Sequence, residues 1–541
     1  MGFWLDSVPE GAGVNIDGIS KEAPIGVVEV VTRVDGIDVE RTLEAGSIYG
    51  VEWAQGETAG SPILRRINEG GLSLALNVHD FDAHPVHGGM RRCTMAPDGS
   101  INNYGANPRG DGLTLTGADG RVMVEIPKFY VKSLSPRANV YQWWISPVPK
   151  LGFEVHPAFL QRGGIERDYI YVGAFEATPI LKYRDHTVNE LQLDSKCALD
   201  GASAPCSQPF TGGLDATPCI AHVAFTSGSR EFVVGETLTC NALDAKVVDW
   251  HLSGGTWVGG DAAGTLYIQI YNDPWAGGHW ANLAITDSGV VDIATASGAE
   301  VNLALTIANC RTYSNRIGPR WGVVNPWTLS ALQLLYYIEY ANLNSQAAIG
   351  RGIVDKAAGI GFAGEVCGFD AANTNIAING TGSGTGTDGL TPICYRGIEN
   401  LWGNVWESID GWNAIGDAAT GRYHIIKRNG LGNLNDVDAN GMLNAGNYEA
   451  SLAIPTQTDN YVKNIVYEDL LRYLFVGDGA AGGSDITYLC DYLYAHNNNE
   501  NNILLSGGGW ITVGTAGVAY RAAGIVLSYS ARNCGGRLEF V

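Results

Sequence analysis

No stretch of this chain reaches the roughly 18 consecutive apolar residues that a membrane-crossing helix needs, and no basic-then-apolar leader opens it. Membrane insertion and passage through the secretory route are therefore not expected. The ten cysteines, at positions 93, 197, 206, 219, 240, 310, 367, 394, 490 and 534, include no CxxC pair. Zinc-site spacing is absent and the density is far below that of a disulfide scaffold. Reduced, buried thiols are the expectation, with a bridge among Cys197, Cys206 and Cys219 as the alternative. Basic charge is also scarce: 34 Lys and Arg face 56 Asp and Glu, a net charge of −22. Nucleic acid is disfavoured as a partner, because neutralising phosphates requires a basic face. Against an anionic cell surface, repulsion is screened beyond about 8–10 Å at physiological salt, so local contacts or a bridging cation can still act.

What the chain has in quantity is length, glycine and aromatics. Its 541 residues exceed what one core serves, which points to about three domains. With 72 Gly, 24 Tyr and 14 Trp, turn-rich β structure is favoured. Organisation centres on Arg396-Gly397-Ile398-Glu399-Asn400-Leu401-Trp402-Gly403-Asn404-Val405-Trp406-Glu407-Ser408-Ile409-Asp410-Gly411. Two Trp four residues apart, with Leu401 and Val405, bring large apolar area to a short segment, and its glycines give the backbone freedom to pack around indoles. Truncating one buried Trp costs about 3–5 kcal/mol, so this segment is expected to fix the geometry around it.

Leu401 to Glu407 resembles the Gly-Asn-Val-Trp-Glu-Trp signature of the sulfatase-modifying, formylglycine-generating branch of the C-type lectin fold. The run Gly507-Gly508-Gly509-Trp510, continuing to Ser528-Tyr529-Ser530-Ala531-Arg532-Asn533-Cys534-Gly535-Gly536-Arg537-Leu538, resembles the end of that domain. It is more similar still to the ligand-binding tip of phage tail proteins of the major-tropism-determinant type. The fold expected is α+β: a C-type-lectin-like domain preceded by β-rich modules and interrupted by a small all-β insertion.

Along the chain, residues 1–48 read as an N-terminal β attachment module, with a hairpin turning at Asp35-Gly36. Residues 49–120 form a second β-rich module. Residues 121–184 and 306–541 are expected to make the lectin-like domain. It opens with the strand signal Arg121–Val131, broken by Pro127, and continues through Gln142–Ser146 and Tyr169–Glu176. Regularly spaced short strands between 185 and 305 suggest an inserted small barrel or sandwich. Asn325-Pro326-Trp327 starts a helix, with Asn325 as N-cap and Pro326 in the first turn, and Gly350-Arg351-Gly352 ends it. Residues 412–505, rich in Asn, Gly, Asp and Tyr, read as irregular. The Gly/Thr run at 381–389 lacks the Lys-Ser/Thr of a phosphate loop.

Chemistry is harder to place. His79, His84 and His87 with Asp80 and Asp82 could hold a metal only if three of them converge. Cys490 and Cys534 are far apart, unlike the paired cysteines of the enzyme branch, and Asp491 beside Cys490 opposes a thiolate. No His-x-x-x-His-x-Glu run is present, so the chain is read as a non-enzyme. A glycan-degrading activity would require two of Glu407, Asp410, Asp485 and Asp491 to converge. Ile525, Leu527, Tyr529 and Ala531 alternate with more polar neighbours, a strand with one outward face, and Tyr and Trp on a rigid frame suit recognition. The resemblance nominates Trp510, Thr512, Tyr520, Arg521, Ser528, Tyr529, Ser530, Arg532 and Asn533 as receptor contacts, and carries over a structural Ca2+ at Asn404. It implies a virion protein, on a tail or particle surface and made in the host cytoplasm. Such a protein would be a homotrimer binding a host cell-surface glycan or protein and other virion tail proteins. The alternatives are a structural or decoration component and a glycan-degrading enzyme.

Overall fold

The computed structural model of the chain describes residues 27–34, 37–44, 48–55, 60–115, 117, 119–160, 165–181, 191–195, 220–240, 243–270, 285–287, 291–293, 306–355, 376–383, 388–415, 422–426, 448–453, 459–468, 471–478, 482–495, 501–529 and 534–541. Strand makes up 38% and helix 13%, distributed over several antiparallel sheets. The α+β expectation is therefore corrected: the protein is mostly β. The Asn- and Gly-rich stretch 412–505, read as irregular, in fact supplies strands at Arg422–Ile426, Tyr448–Ala453, Asn460–Tyr461, Tyr492–Tyr494 and Asn502–Gly507. Pairing with neighbours, which a window of sequence does not contain, overrides the weak strand preference of these residues.

Three sheets build the main body. In the first, the spatial order is Glu154–Val155, Tyr130–Arg137, Val140–Ser146, Tyr49–Ala54 and Arg65–Ile67. In the second it is Trp321–Val323, Leu538–Phe540, Tyr169–Gly173, Arg121–Pro127, Arg91–Met95 and Ile101–Tyr104. The chain leaves one sheet at Pro127 and enters the other at Tyr130, so the proline marks a change of sheet. Residues before and after position 120 share both sheets, since Tyr49–Ala54 pairs with Val140–Ser146 and Arg91–Met95 with Arg121–Pro127. The third sheet has Trp406–Ile415 near its middle, between Arg422–Ile426 and Asn502–Gly507. Gly517–Val526, Tyr492–Tyr494 and Asn460–Tyr461 follow in that order, and Cys534–Gly535 runs parallel to Trp406–Glu407. Strands between 220 and 293 form a separate six-stranded antiparallel sheet, where Phe225, Phe232, Trp250 and Trp257 pack ring against ring.

The helix Pro326–Tyr340 runs through the core. Asn325 caps it, its side chain accepting from the backbone N–H groups of Trp327 and Thr328, as its sequence leads one to expect. It stops at Tyr340, ten residues short of the expected glycines, because Ala341 adopts a left-handed conformation (φ 47°) and closes the last turn onto the Tyr337 carbonyl. Every residue from Pro326 to Glu339 is buried. Apolar side chains all round mean contact on every side: Trp327, Leu332 and Leu335 share one core with Trp53, Trp143, Trp402 and Phe475. Among the described residues no helix is long and apolar enough to cross a membrane.

Candidate functional site

The segment 396–411 passes through the left-handed region six times, at Arg396, Gly397, Asn400, Gly403, Asn404 and Gly411, with φ between 49° and 92°. At Gly403 a Cβ would stand 2.9 Å from both the N and the O of Ile353, so only glycine fits. Four charged side chains of this segment hold the contorted backbone, each anchored to a different element. Arg396 Nε reaches both carboxylate oxygens of Glu339, on the core helix, at 3.1 Å, and its Nη1 lies 2.8 Å from Asp82. Glu399 accepts from Arg92 Nη2 at 2.7 Å, on the Arg91–Met95 strand. Glu407 accepts from Arg537 Nε at 2.8 Å, and the same guanidinium donates to the carbonyls of Gly173, Glu399 and Asn400. Asp410 accepts from Arg311 Nε at 2.6 Å, on the helix Ile307–Asn315. None of the eight paired side chains is more than 6% exposed.

Buried pairs of this kind contribute little net stability but penalise any arrangement that separates them, so they select one geometry. Burial pushes the Glu339 and Glu407 carboxyls above the usual range while their arginines pull them back. The two tryptophans serve different cores. Trp402 is fully buried and donates its indole N–H to the Gly350 carbonyl at 3.1 Å. Trp406, half-buried, packs on the other side of the sheet against a cluster containing Ile307, Leu505, Tyr520 and Cys534.

The nominated contact residues fall into three groups. Trp510, 3% exposed, fills a small core with Ile353 and Val405. Thr512 is buried, and its Oγ accepts from Gly509 N at 2.7 Å. Tyr520 and Arg521 are also buried; Arg521 Nη1 donates to Ser506 Oγ at 2.8 Å and to the carbonyls of Val518 and Tyr520, with the guanidinium over the Trp412 ring. These four belong to the frame and offer a receptor no appreciable surface. Tyr520 and Arg521 are buried because their strand, Gly517–Val526, lies between Asn502–Gly507 and Tyr492–Tyr494. Ser528 is exposed and Tyr529 half-buried, whereas Ser530, Arg532 and Asn533 lie outside the described residues. Ile511 and Val513, missed by sequence reasoning, are the exposed side chains of the neighbouring loop.

Asn404 is buried and donates its side-chain amide to Glu176 at 2.6 Å; the same carboxylate accepts from Val405 N at 3.2 Å. Burial drives the Glu176 carboxyl well above its usual range against the opposing charge of Arg537. Ca2+ takes six to eight oxygens, and one carboxylate already committed to two donors beside a guanidinium does not fit it. His84 and His87 do meet, with their Nδ1 atoms 3.1 Å apart, and His87 Nε2 lies 3.0 Å from the Leu335 carbonyl, while His79 is exposed. Among the described residues no group of three or more His, Cys, Asp or Glu is placed to hold a metal ion. Glu407 and Asp410 are each taken by an arginine, Asp491 is buried, and Asp485 is exposed. Cys93, Cys310, Cys394, Cys490 and Cys534 are free and buried. The bridge considered among Cys197, Cys206 and Cys219 lies outside the described residues.

The chain matches no protein-family model and no curated protein.

Proposed function

We propose that this chain is a receptor-binding protein of a phage virion, at a tail-fibre tip or surface spike, attaching to a host cell-surface glycan or protein. The observation that carries the reading is a segment, 396–411, locked by four buried ion pairs and supporting a sheet that exposes Tyr494 on a strand and Ile486, Ile511 and Val513 on loops. A frame held this firmly lets loop side chains bind without first being ordered. The motif resemblance at 401–407 and 507–538 points the same way. A homotrimer would gain avidity from three weak sites on one particle. The test is binding of the purified chain to host cells, with competition against phage adsorption. Saturable binding and blocked adsorption support the reading; absence of both overturns it. A structural or decoration role is the second reading, favoured by the burial of Trp510, Thr512, Tyr520 and Arg521.

A further inference from the structure

One edge of the third sheet carries a row of tyrosines of which only the innermost, Tyr520, was among the nominated contact residues. On the strand Tyr492–Tyr494 the middle residue, Leu493, turns into the main core, which sends Tyr492 and Tyr494 to the opposite face. Tyr461 pairs in register with Tyr492, and their ring centroids are 4.9 Å apart. Tyr492 and Tyr494 follow at 4.8 Å, then Tyr494 and the buried Tyr520 at 5.9 Å. Tyr494 is 39% exposed, and Tyr461 and Tyr492 are half-buried. Two exposed carboxylates flank the row: Asp459, whose Oδ1 holds Ala495 N at 2.8 Å, and Asp485. After burial itself, the charge of Asp485 is what most raises the Tyr461 hydroxyl, and that of Asp459 the Tyr492 hydroxyl. At the inner end, the Tyr520 hydroxyl and the Trp406 indole nitrogen are buried close to one another.

We propose that Tyr461, Tyr492 and Tyr494, continued inward by Tyr520, form a platform for an uncharged glycan. Tyrosine rings offer apolar faces to the C–H side of a sugar at low entropy cost, and their hydroxyls bond its polar rim. Asp459 and Asp485 add acceptors for sugar hydroxyls, and hydrogen bonds to an ionised acceptor are the stronger kind. The same two carboxylates, in a chain of net charge −22, repel sialylated or phosphorylated polymers. This names the ligand class and site for the receptor-binding reading and rests on it.

The test titrates the full chain, by ligand-observed NMR, with cellotetraose, maltotetraose, mannotetraose and tetra-N-acetylchitotetraose, and with polysialic acid as the anionic comparison. At least one neutral oligosaccharide binds and polysialic acid binds more weakly. Tyr494→Ala and Tyr461→Ala each weaken that binding by about tenfold, the scale of one lost aromatic contact, while Tyr494→Phe keeps most of it. Tyr494→Trp, which retains a ring, controls for misfolding and also binds. No neutral binding, stronger binding of polysialic acid, or unchanged affinity in both alanine variants overturns the platform. Host-cell binding by the parent chain that Tyr494→Ala leaves unaltered overturns the platform alone. Failure of the parent to bind cells overturns the receptor-binding reading instead.

Discussion

Glu339→Gln is the sharpest perturbation of the ionic frame. The carboxylate lies in the last turn of the core helix, fully buried, holding Arg396 through two contacts from Nε and accepting from the Tyr395 hydroxyl at 3.0 Å. The glutamine keeps the size of the side chain and can keep the Tyr395 bond, so what is lost is charge. Removing one partner of a buried pair strands the other and costs about 3–5 kcal/mol, whereas replacing both by apolar residues is often close to neutral. Asp82 remains 2.8 Å from Arg396 but is 40% exposed, which places the expected loss at about 3 kcal/mol, the lower end of that range. Glu339→Met combined with Arg396→Met should recover most of it, because the left-handed backbone at position 396 is equally strained with either side chain. A chain with several cores need not unfold in one step, so the measurement is hydrogen exchange in Pro326–Tyr340 alongside urea titration of tryptophan fluorescence. A loss below about 1 kcal/mol in Glu339→Gln, or no recovery in the double variant, refutes the argument.

Asp491 gives a pH signature. Burial holds its carboxyl well above the usual range, so the folded state keeps its proton longer than the unfolded one; the associated stability is full at low pH and is lost as pH rises through the raised value. The melting-temperature advantage of Asp491→Asn over the parent should therefore widen from pH 5 to pH 8, and a constant difference would contradict the assignment. Gly403→Ala, at φ +83° and with a Cβ 2.9 Å from Ile353 backbone atoms, should destabilise by more than about 1 kcal/mol in a thermal melt. Arg521→Ala should lower the melting temperature while leaving cell binding per folded molecule unchanged, because its guanidinium serves Ser506 and two carbonyls. Ser528→Ala should do the reverse, measured in the same two assays, because Ser528 is exposed.

Local chemistry was legible in the sequence, and long-range pairing was not. Asn325 and Pro326 announce the helix start because capping and a fixed φ are properties of those residues alone. Its end was misplaced because Ala341 carries no signal for the left-handed turn it takes. Pro127 was recognised as a break in a strand, yet only the partners of Arg121–Pro127 and Tyr130–Arg137 reveal a change of sheet. Trp402 and Trp406 were correctly singled out as core-building, although Trp406 remains half-buried. Glu407 and Asp410 were weighed as cleaving carboxylates and Arg396 and Glu399 were given no role, since a charge in a sequence reads as solvated until its counter-charge, 307 residues away for Glu399 and Arg92, is brought beside it. Tyr520 and Arg521 were nominated through the resemblance alone, and the strands on either side of Gly517–Val526 bury them.

The placement of Leu538–Phe540 has a consequence for how this protein is made. That strand fills the gap between Trp321–Val323 and Tyr169–Gly173, and Arg537 just before it reaches the Gly173 carbonyl across 364 residues of chain. Tyr169–Gly173 and Trp321–Val323 leave the ribosome well before Leu538–Phe540, and neither can make its pairing with that strand until it follows. Closure over so long a loop is slow, and a ribosome stalling before residue 537 releases a chain with Glu407 uncompensated and a sheet missing an inner strand.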